Sequence, residues 1–355
     1  MAVMPSSLLK IILVLFLFTL FSYLLENSAS AEEDIEAKIE KAIKDYLEDY
    51  KVPGASVAII HNNELFFSKS WGVTGESEEE VTEQTPFTIG SISKSLTAMA
   101  IMKLADNGTI RLDASIQEYL PWFKLNNEKA AEITVEQLLA QTSGFSTYDG
   151  LALSDKELTG SKAVKHQVKK LAEEKLTSVP GEKHQYSNAN FLILGAMIEE
   201  LTGMSYAEYM EQQIFEPLGM KYAAANKEGA YEKSYLRGYQ SWFGFPVKSS
   251  VAYDDAGAPY GYITASSADM VQFVKLLSGK GPDHFISDKT LDLFKSPQVQ
   301  TGEDRYYGLG IRMSNPDTPK EIIWHSGSTP DSHSEVFCIP GTGWGGVILT
   351  NKNHI

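Results

Sequence analysis

Beyond residue 31 the first regular pattern is an apolar stripe of Ile35, Ile39, Ile43 and Tyr46. Steps of four and three residues follow one face of a 3.6-residue helix, so residues 32–50 are predicted to form an amphipathic helix. The pattern then changes to apolar runs bounded by turn residues. GASVAII and ELFFSKSWGV, on either side of His61-Asn62-Asn63, predict two strands of a hairpin. From Ser91 to about Leu218 the helical period dominates. Strands are predicted again near Tyr307, as a meander of EIIWHSG, SEVFCIP and GGVILTN. The early hairpin and the late meander are each too small to stand alone. Together they predict one antiparallel sheet built from both ends of the chain and flanked by helices, with a mainly helical lobe inserted. The expected class is therefore α/β of the α+β type, with the sheet from about 32–90 and 300–355 and the lobe from about 91–299. No internal repeat or low-complexity linker interrupts this plan.

The N-terminus follows a different rule. One lysine lies in MAVMPSSLLK, fifteen apolar or nearly apolar residues follow in IILVLFLFTLFSYLL, and Ala29-Ser30-Ala31 matches an A-x-A cleavage site. Residues 1–31 are expected to be a signal peptide and residues 32–355 the mature domain, secreted or otherwise extracytoplasmic. A retained single-span tether is the alternative, and it is the only membrane contact expected.

Cys338 is the only cysteine, so no intramolecular disulfide can form; in EVFCIP it is expected to be a buried apolar residue. The formal net charge of −15, without a basic stripe, argues against nucleic acid as a partner. The seven histidines are scattered without metal-ligand spacing, and neither G-x-S-x-G nor H-E-x-x-H occurs. No metal or cofactor is expected; the expected partner is a small-molecule or peptide substrate.

Three short motifs carry candidate chemistry. Ser91-Ile92-Ser93-Lys94 puts a hydroxyl and an amine one turn apart on one helical face. At a helix N-terminus, unpaired N–H groups and the helix dipole also favour developing negative charge, as an activated nucleophile requires. The spacing alone is weak, since Ser7-Leu8-Leu9-Lys10 also matches it inside the leader. Context separates the two: Gly90 precedes Ser91, and Leu96, Met99, Ile101, Met102 and Leu104 make the following helix apolar on nearly every side, hence buried. The competing interpretation is a serine N-cap beside a surface lysine. Tyr186-Ser187-Asn188 precedes the apolar run FLILGAMIEELTG, and His325-Ser326-Gly327 ends a strand-like run. Each alone would pass as a turn or a strand end. The order Ser-x-x-Lys, Tyr-x-Asn, His-x-Gly is harder to obtain by chance, and a sibling set marks class A β-lactamases and penicillin-binding proteins.

In this order the sequence resembles the superfamily of class C β-lactamases, DD-peptidases and serine esterases. The resemblance extends through VPGASVAII, ITVEQLLAQTSGFS, PGEKHQYSNANFLILGAMIEELTGMSYAEYMEQQIFEPLGM, YGYITASSADMVQF and HSGSTPDSHSEVF. It implies an active site where the sheet meets the helical lobe. It further implies that Ser91 attacks a carbonyl to form an acyl-enzyme, with Lys94 and Tyr186 moving the proton. Asn188 would bond Lys94 or the substrate amide, and the N–H groups of Ser91 and Ser328 would form the oxyanion hole beside Gly327. His325 stands where many β-lactamases carry lysine, and a partly charged imidazolium is a weaker partner for a substrate carboxylate. That leans toward a penicillin-binding-protein-like DD-peptidase, or a D-amino-acid peptidase or esterase. A class C-type β-lactamase and a catalytically idle wall-binding or penicillin-binding protein are the alternatives. Gln141 replaces a common histidine, and Ser328 and Asp331 replace common glycines. The family also tends to close with a helix on the sheet, whereas residues 351–355 follow a strand run directly, so that helix is expected to be missing. Trp242, Phe243 and Phe245 are expected either to line the pocket or to pack inside the lobe.

Overall fold

A computed structural model describes residues 29–125, 131–147, 149 and 159–353. Most of the leader therefore lies outside the described residues, while Ala29–Ala31 open the first helix. The four longest described helices are labelled α1 (Ala29–Asp49), α2 (Ile92–Asp106), α3 (Asn188–Thr202) and α4 (Ser267–Leu277). The strands are β1 (Gly54–His61), β2 (Glu64–Gly72), β3 (Phe87–Thr88), β4 (Tyr239–Trp242), β5 (Phe245–Lys248), β6 (Thr264–Ala265), β7 (Val299–Gly302), β8 (Arg305–Tyr307), β9 (Arg312–Ser314), β10 (Ile322–Thr329), β11 (Ser332–Ile339) and β12 (Trp344–Thr350).

Eight strands form one antiparallel sheet in the order β2-β1-β12-β11-β10-β9-β8-β7. Both ends of the chain meet in its middle, where β1 pairs with β12 from Ala55↔Thr350 to His61↔Trp344. The β1–β2 hairpin turns through Asn62 and Asn63, at φ 52° and 69°. Two consecutive positive φ values match the right-handed twist of the flanking strands, and asparagine tolerates them better than most residues.

Strand β1 is apolar almost throughout because both of its faces are covered. Val57 and Ile59 pack with Ile35, Ile39 and Ile43 of α1 on the outer face, whereas Ala58 and Ile60 join the main core on the inner face. Burial of the three α1 isoleucines contributes roughly 2–3 kcal/mol apiece. Helix α2 runs through the centre of the main core with twelve buried residues. It packs against α3, while α4 lies along β1 and β12. Cys338 is buried in that core, as its strand-like surroundings predict.

One sequence expectation needs correction, and two short strands went unnamed: β7 and β8 form the sheet edge from Val299 onward. Short polar stretches with an irregular register carry no clear two-residue alternation, which hid them. The SWFGFP segment does not pack inside the lobe. It forms the β4–β5 hairpin, which leaves Trp242 66%, Phe243 86% and Phe245 58% exposed.

Candidate functional site

The site lies where the N-terminus of α2 meets the free edge of β10. Strand β9 pairs with β10 only from Ile322 to Trp324, so residues 325–329 present an edge that β9 leaves open. The segment before Ser91 fills the space. A Cβ on Gly90, at φ 52°, would lie 2.3 Å from the Ser328 nitrogen, and one on Gly327 would lie 1.9 Å from the Ile89 carbonyl. Only two glycines allow backbone to meet backbone this closely. The Ser328 N–H is thereby brought beside the residue that precedes Ser91.

Ser91 stands at the N-cap of α2 with helical dihedrals and makes no side-chain cap bond. Its hydroxyl is thus available to Lys94, whose Nζ is 3.0 Å away. Lys94 has 0% exposure, which removes the surface-lysine interpretation. Its amine donates to the Tyr260 carbonyl at 2.7 Å. That acceptor belongs to a π-helical turn over Ala258–Tyr262. Burial first, and then the charge of Arg312, hold the Lys94 pKa well below its usual value. This lowering favours the neutral amine, the form whose lone pair can take the Ser91 proton.

Tyr186 sits just before α3, whose N-cap is Ser187. Its phenol hydrogen-bonds Ser91 and Arg312, and Lys94 Nζ is 4.9 Å from its ring centroid. Burial raises the Tyr186 pKa, against the opposing effects of Arg312 and its hydrogen bonds, so the phenol keeps its proton. Gln141 explains the ITVEQLLAQTSG block. Its Oε1 accepts from the Ser187 N–H at 2.9 Å and from Asn190 Nδ2 at 2.5 Å, fixing the segment that carries Tyr186. Asn188 takes the first position of α3. Among the described residues Lys94 bonds the Tyr260 carbonyl, and no bond joins it to Asn188.

His325 is 1% exposed. Its Nδ1 donates to the Ser326 carbonyl at 2.7 Å, which leaves Nε2 to accept from the Tyr307 hydroxyl at 3.4 Å. Burial, then the charges of Arg312 and Lys94, depress its pKa well below the usual value despite the Ser326 bond. The expected partial imidazolium is corrected: His325 is a neutral imidazole.

The site cation is Arg312 on β9, which motif spacing did not single out. Its guanidinium carbon lies 5.2, 5.6 and 5.5 Å from the ring centroids of Tyr186, Tyr307 and Trp324. Its Nε has no hydrogen-bond partner, and no carboxylate pairs with it among the described residues. Its field also helps burial push the His184 pKa down to about 4. The available signal was an arginine between Ile311 and Met313, both fully buried. No group of three or more metal-ligating side chains occurs among the described residues.

The arrangement brings together a hydroxyl, an amine of lowered basicity, a protonated phenol, the Ser328 N–H and a guanidinium with no carboxylate partner among the described residues, with Ser91 at the centre. Comparisons place these features in a lineage. Residues 39–355 match the family described as Beta-lactamase. Protein flp of Staphylococcus aureus (strain MW2) is 27% identical over 329 residues, covering 90% of this chain and 64% of the relative, so the chain spans about two thirds of that protein's length. The Beta-lactamase of Escherichia coli (strain K12) is 28% identical over 378 residues, covering 96% of each chain. The octameric penicillin-binding protein homologue from Pyrococcus abyssi superposes with a TM-score of 0.76 at 26% identity, covering 90% of this chain and 74% of that one. The chain belongs to the Beta-lactamase family and is a serine hydrolase of the beta-lactamase and penicillin-binding-protein type.

Proposed function

We propose that the protein is an extracytoplasmic acyl hydrolase that works through an acyl-enzyme on Ser91. Its substrates carry a carboxylate beside the scissile carbonyl, as peptides or depsipeptides ending in D-alanine do. The observation that carries this reading is Arg312, a cation without a carboxylate partner among the described residues, beside the Ser91–Lys94–Tyr186 cluster. An anionic substrate group completes that charge balance, and a forked guanidinium suits a carboxylate in two parallel hydrogen bonds.

In this reading Ser91 Oγ attacks the carbonyl and its proton moves to the Lys94 amine. The oxyanion accepts from the Ser91 and Ser328 N–H groups, each such donor contributing roughly 3–4 kcal/mol in other hydrolases. Collapse expels the leaving group, which takes a proton from the Tyr186 phenol or the Lys94 ammonium. Water then enters by the same route in reverse and frees Ser91. The apolar run before Ala29 supports export; among the described residues no helix is long and apolar enough to cross a membrane.

A second reading, hydrolysis of β-lactams, is favoured by the similarity to the E. coli enzyme over almost its whole length. Penicillins carry a carboxylate as well, so Arg312 would serve both. Two depsipeptides that differ only by methylation of the terminal carboxylate provide the test. The free acid is expected to be turned over with kcat/KM about a hundredfold higher, a difference of roughly 3 kcal/mol. Equal turnover would remove the carboxylate from the substrate definition. Release of hydrolysed penicillin at a rate matching depsipeptide turnover would favour the β-lactamase reading.

A further inference from the structure

Ser328 has a second set of partners on the opposite side of the sheet from Ser91. Residues directly opposite on paired strands share a face, and Ser328 pairs with His333 while Ser326 pairs with Glu335. That face is the outer one. Phe337, in alternation with Glu335 and His333, packs with the α1 cluster, whereas Val336 and Cys338 belong to the inner core. The backbone of Ser328 thus adjoins Gly90, while its side chain points away from the Ser91 site.

On that face Ser328 Oγ lies 3.0 Å from His333 Nδ1, and His333 Nε2 lies 3.1 Å from Glu335 Oε1. A carboxylate only accepts, so Nε2 carries the ring proton and donates to Glu335. With a single ring proton, on Nε2, Nδ1 is the acceptor and the Ser328 hydroxyl donates to it. His333 is 5% exposed and Ser328 is exposed, so the base is shielded while the oxygen is open to reagents. A nucleophile bonded to a base, which a third group orients, is the general form of an activated serine.

We propose that Ser328, His333 and Glu335 form a second activated-serine site, at which small electrophilic esters and organophosphonates modify Ser328 independently of Ser91. With a fluorophosphonate, Ser328 Oγ forms a bond to phosphorus as the phosphorus–fluorine bond breaks. Fluoride leaves, and the serine proton passes to His333 Nδ1, giving an imidazolium that Glu335 stabilises until solvent removes the proton. With an aryl ester the bond forms to the carbonyl carbon and the aryl oxide leaves. The cluster supplies a nucleophile, a base and its orienting carboxylate, so this site is a covalent acceptor rather than a site of turnover.

Peptide mapping by mass spectrometry of the Ser91→Ala protein after exposure to a fluorophosphonate tests the proposal. Ser328 is expected to carry the adduct at least ten times faster than Ser326, which lies two residues away on the same strand and face, opposite a carboxylate rather than an imidazole. This comparison is made within one folded protein. His333→Gln, which keeps a polar side chain but supplies no base, is expected to slow Ser328 labelling at least tenfold. Labelling of Ser328 no faster than Ser326, or labelling indifferent to His333→Gln, would reduce the cluster to a hydrogen-bond ladder that ties the hairpin.

Discussion

Exchange of Lys94 for methionine is expected to slow acylation of Ser91 about a thousandfold. Loss of a positioned general base alone costs about 10²–10⁴ in rate, and groups that act as a unit fail together. The same substitution carries a signature in stability. Burial holds the Lys94 pKa well below that of the unfolded chain. Between that depressed value and about 10.5 the unfolded protein binds one more proton at this site than the native protein. Lys94 therefore destabilises the fold at neutral pH, and this cost shrinks as pH rises. The stability of Lys94→Met relative to the wild type should fall by about 1.4 kcal/mol per pH unit across that window. Denaturant titrations at several pH values measure it. A difference independent of pH would mean that Lys94 is charged in the native protein, and the lone-pair role would fail.

Replacing Arg312 by leucine is expected to lower kcat/KM about a hundredfold for the free-acid depsipeptide, mainly through KM, and to leave its methyl ester within a few-fold of wild type. Arg312→Lys should restore part of the loss, because charge is kept while the planar fork is lost. One effect should reach both substrates. Removal of this cation raises the Lys94 pKa, since Arg312 is one of the causes that lower it. The acid limb of the pH–rate profile should therefore move to higher pH. Equal losses on acid and ester would make Arg312 a support for Tyr186 rather than a substrate contact.

What the sequence discloses about the site follows from how local each feature is. Ser91 and Lys94 are joined by one helical turn, so their approach could be read from spacing; the apolar helix behind them pointed to a buried helix but left a surface lysine open. Tyr186 was legible as the residue before a capped apolar helix. The acceptor of Lys94 was not, because it is the carbonyl of Tyr260 and a backbone oxygen leaves no mark on residue identity. Arg312 escaped for another reason. Its meaning depends on the absence of an acidic partner among the described residues, and on strand β9 ending its pairing at Trp324, both facts of tertiary structure. His325 was legible in place but not in charge, since the burial that neutralises it comes from Tyr307 and the surrounding strands.

The fold shows the same division. Unbroken apolar runs at both ends of the chain predicted the central strands, because burial on both faces leaves a strong signal. The edge strands β7–β9 are short and half polar, and their pairing is set by neighbours rather than by pattern. Trp242, Phe243 and Phe245 misled because aromatic residues are usually buried, whereas here a two-residue turn through Phe243 and Gly244, at φ 48° and 82°, projects them outward.

The most direct test follows the intact mass of the protein with time after mixing with benzylpenicillin, with the modified peptide then mapped, in the wild type and in Ser91→Ala. One penicilloyl adduct per chain is expected, carried by Ser91 in the wild type and missing from the variant. An unmodified Ser91 in the wild type, or penicilloylation of Ser91→Ala at the wild-type rate, would contradict the assignment of Ser91 as the nucleophile.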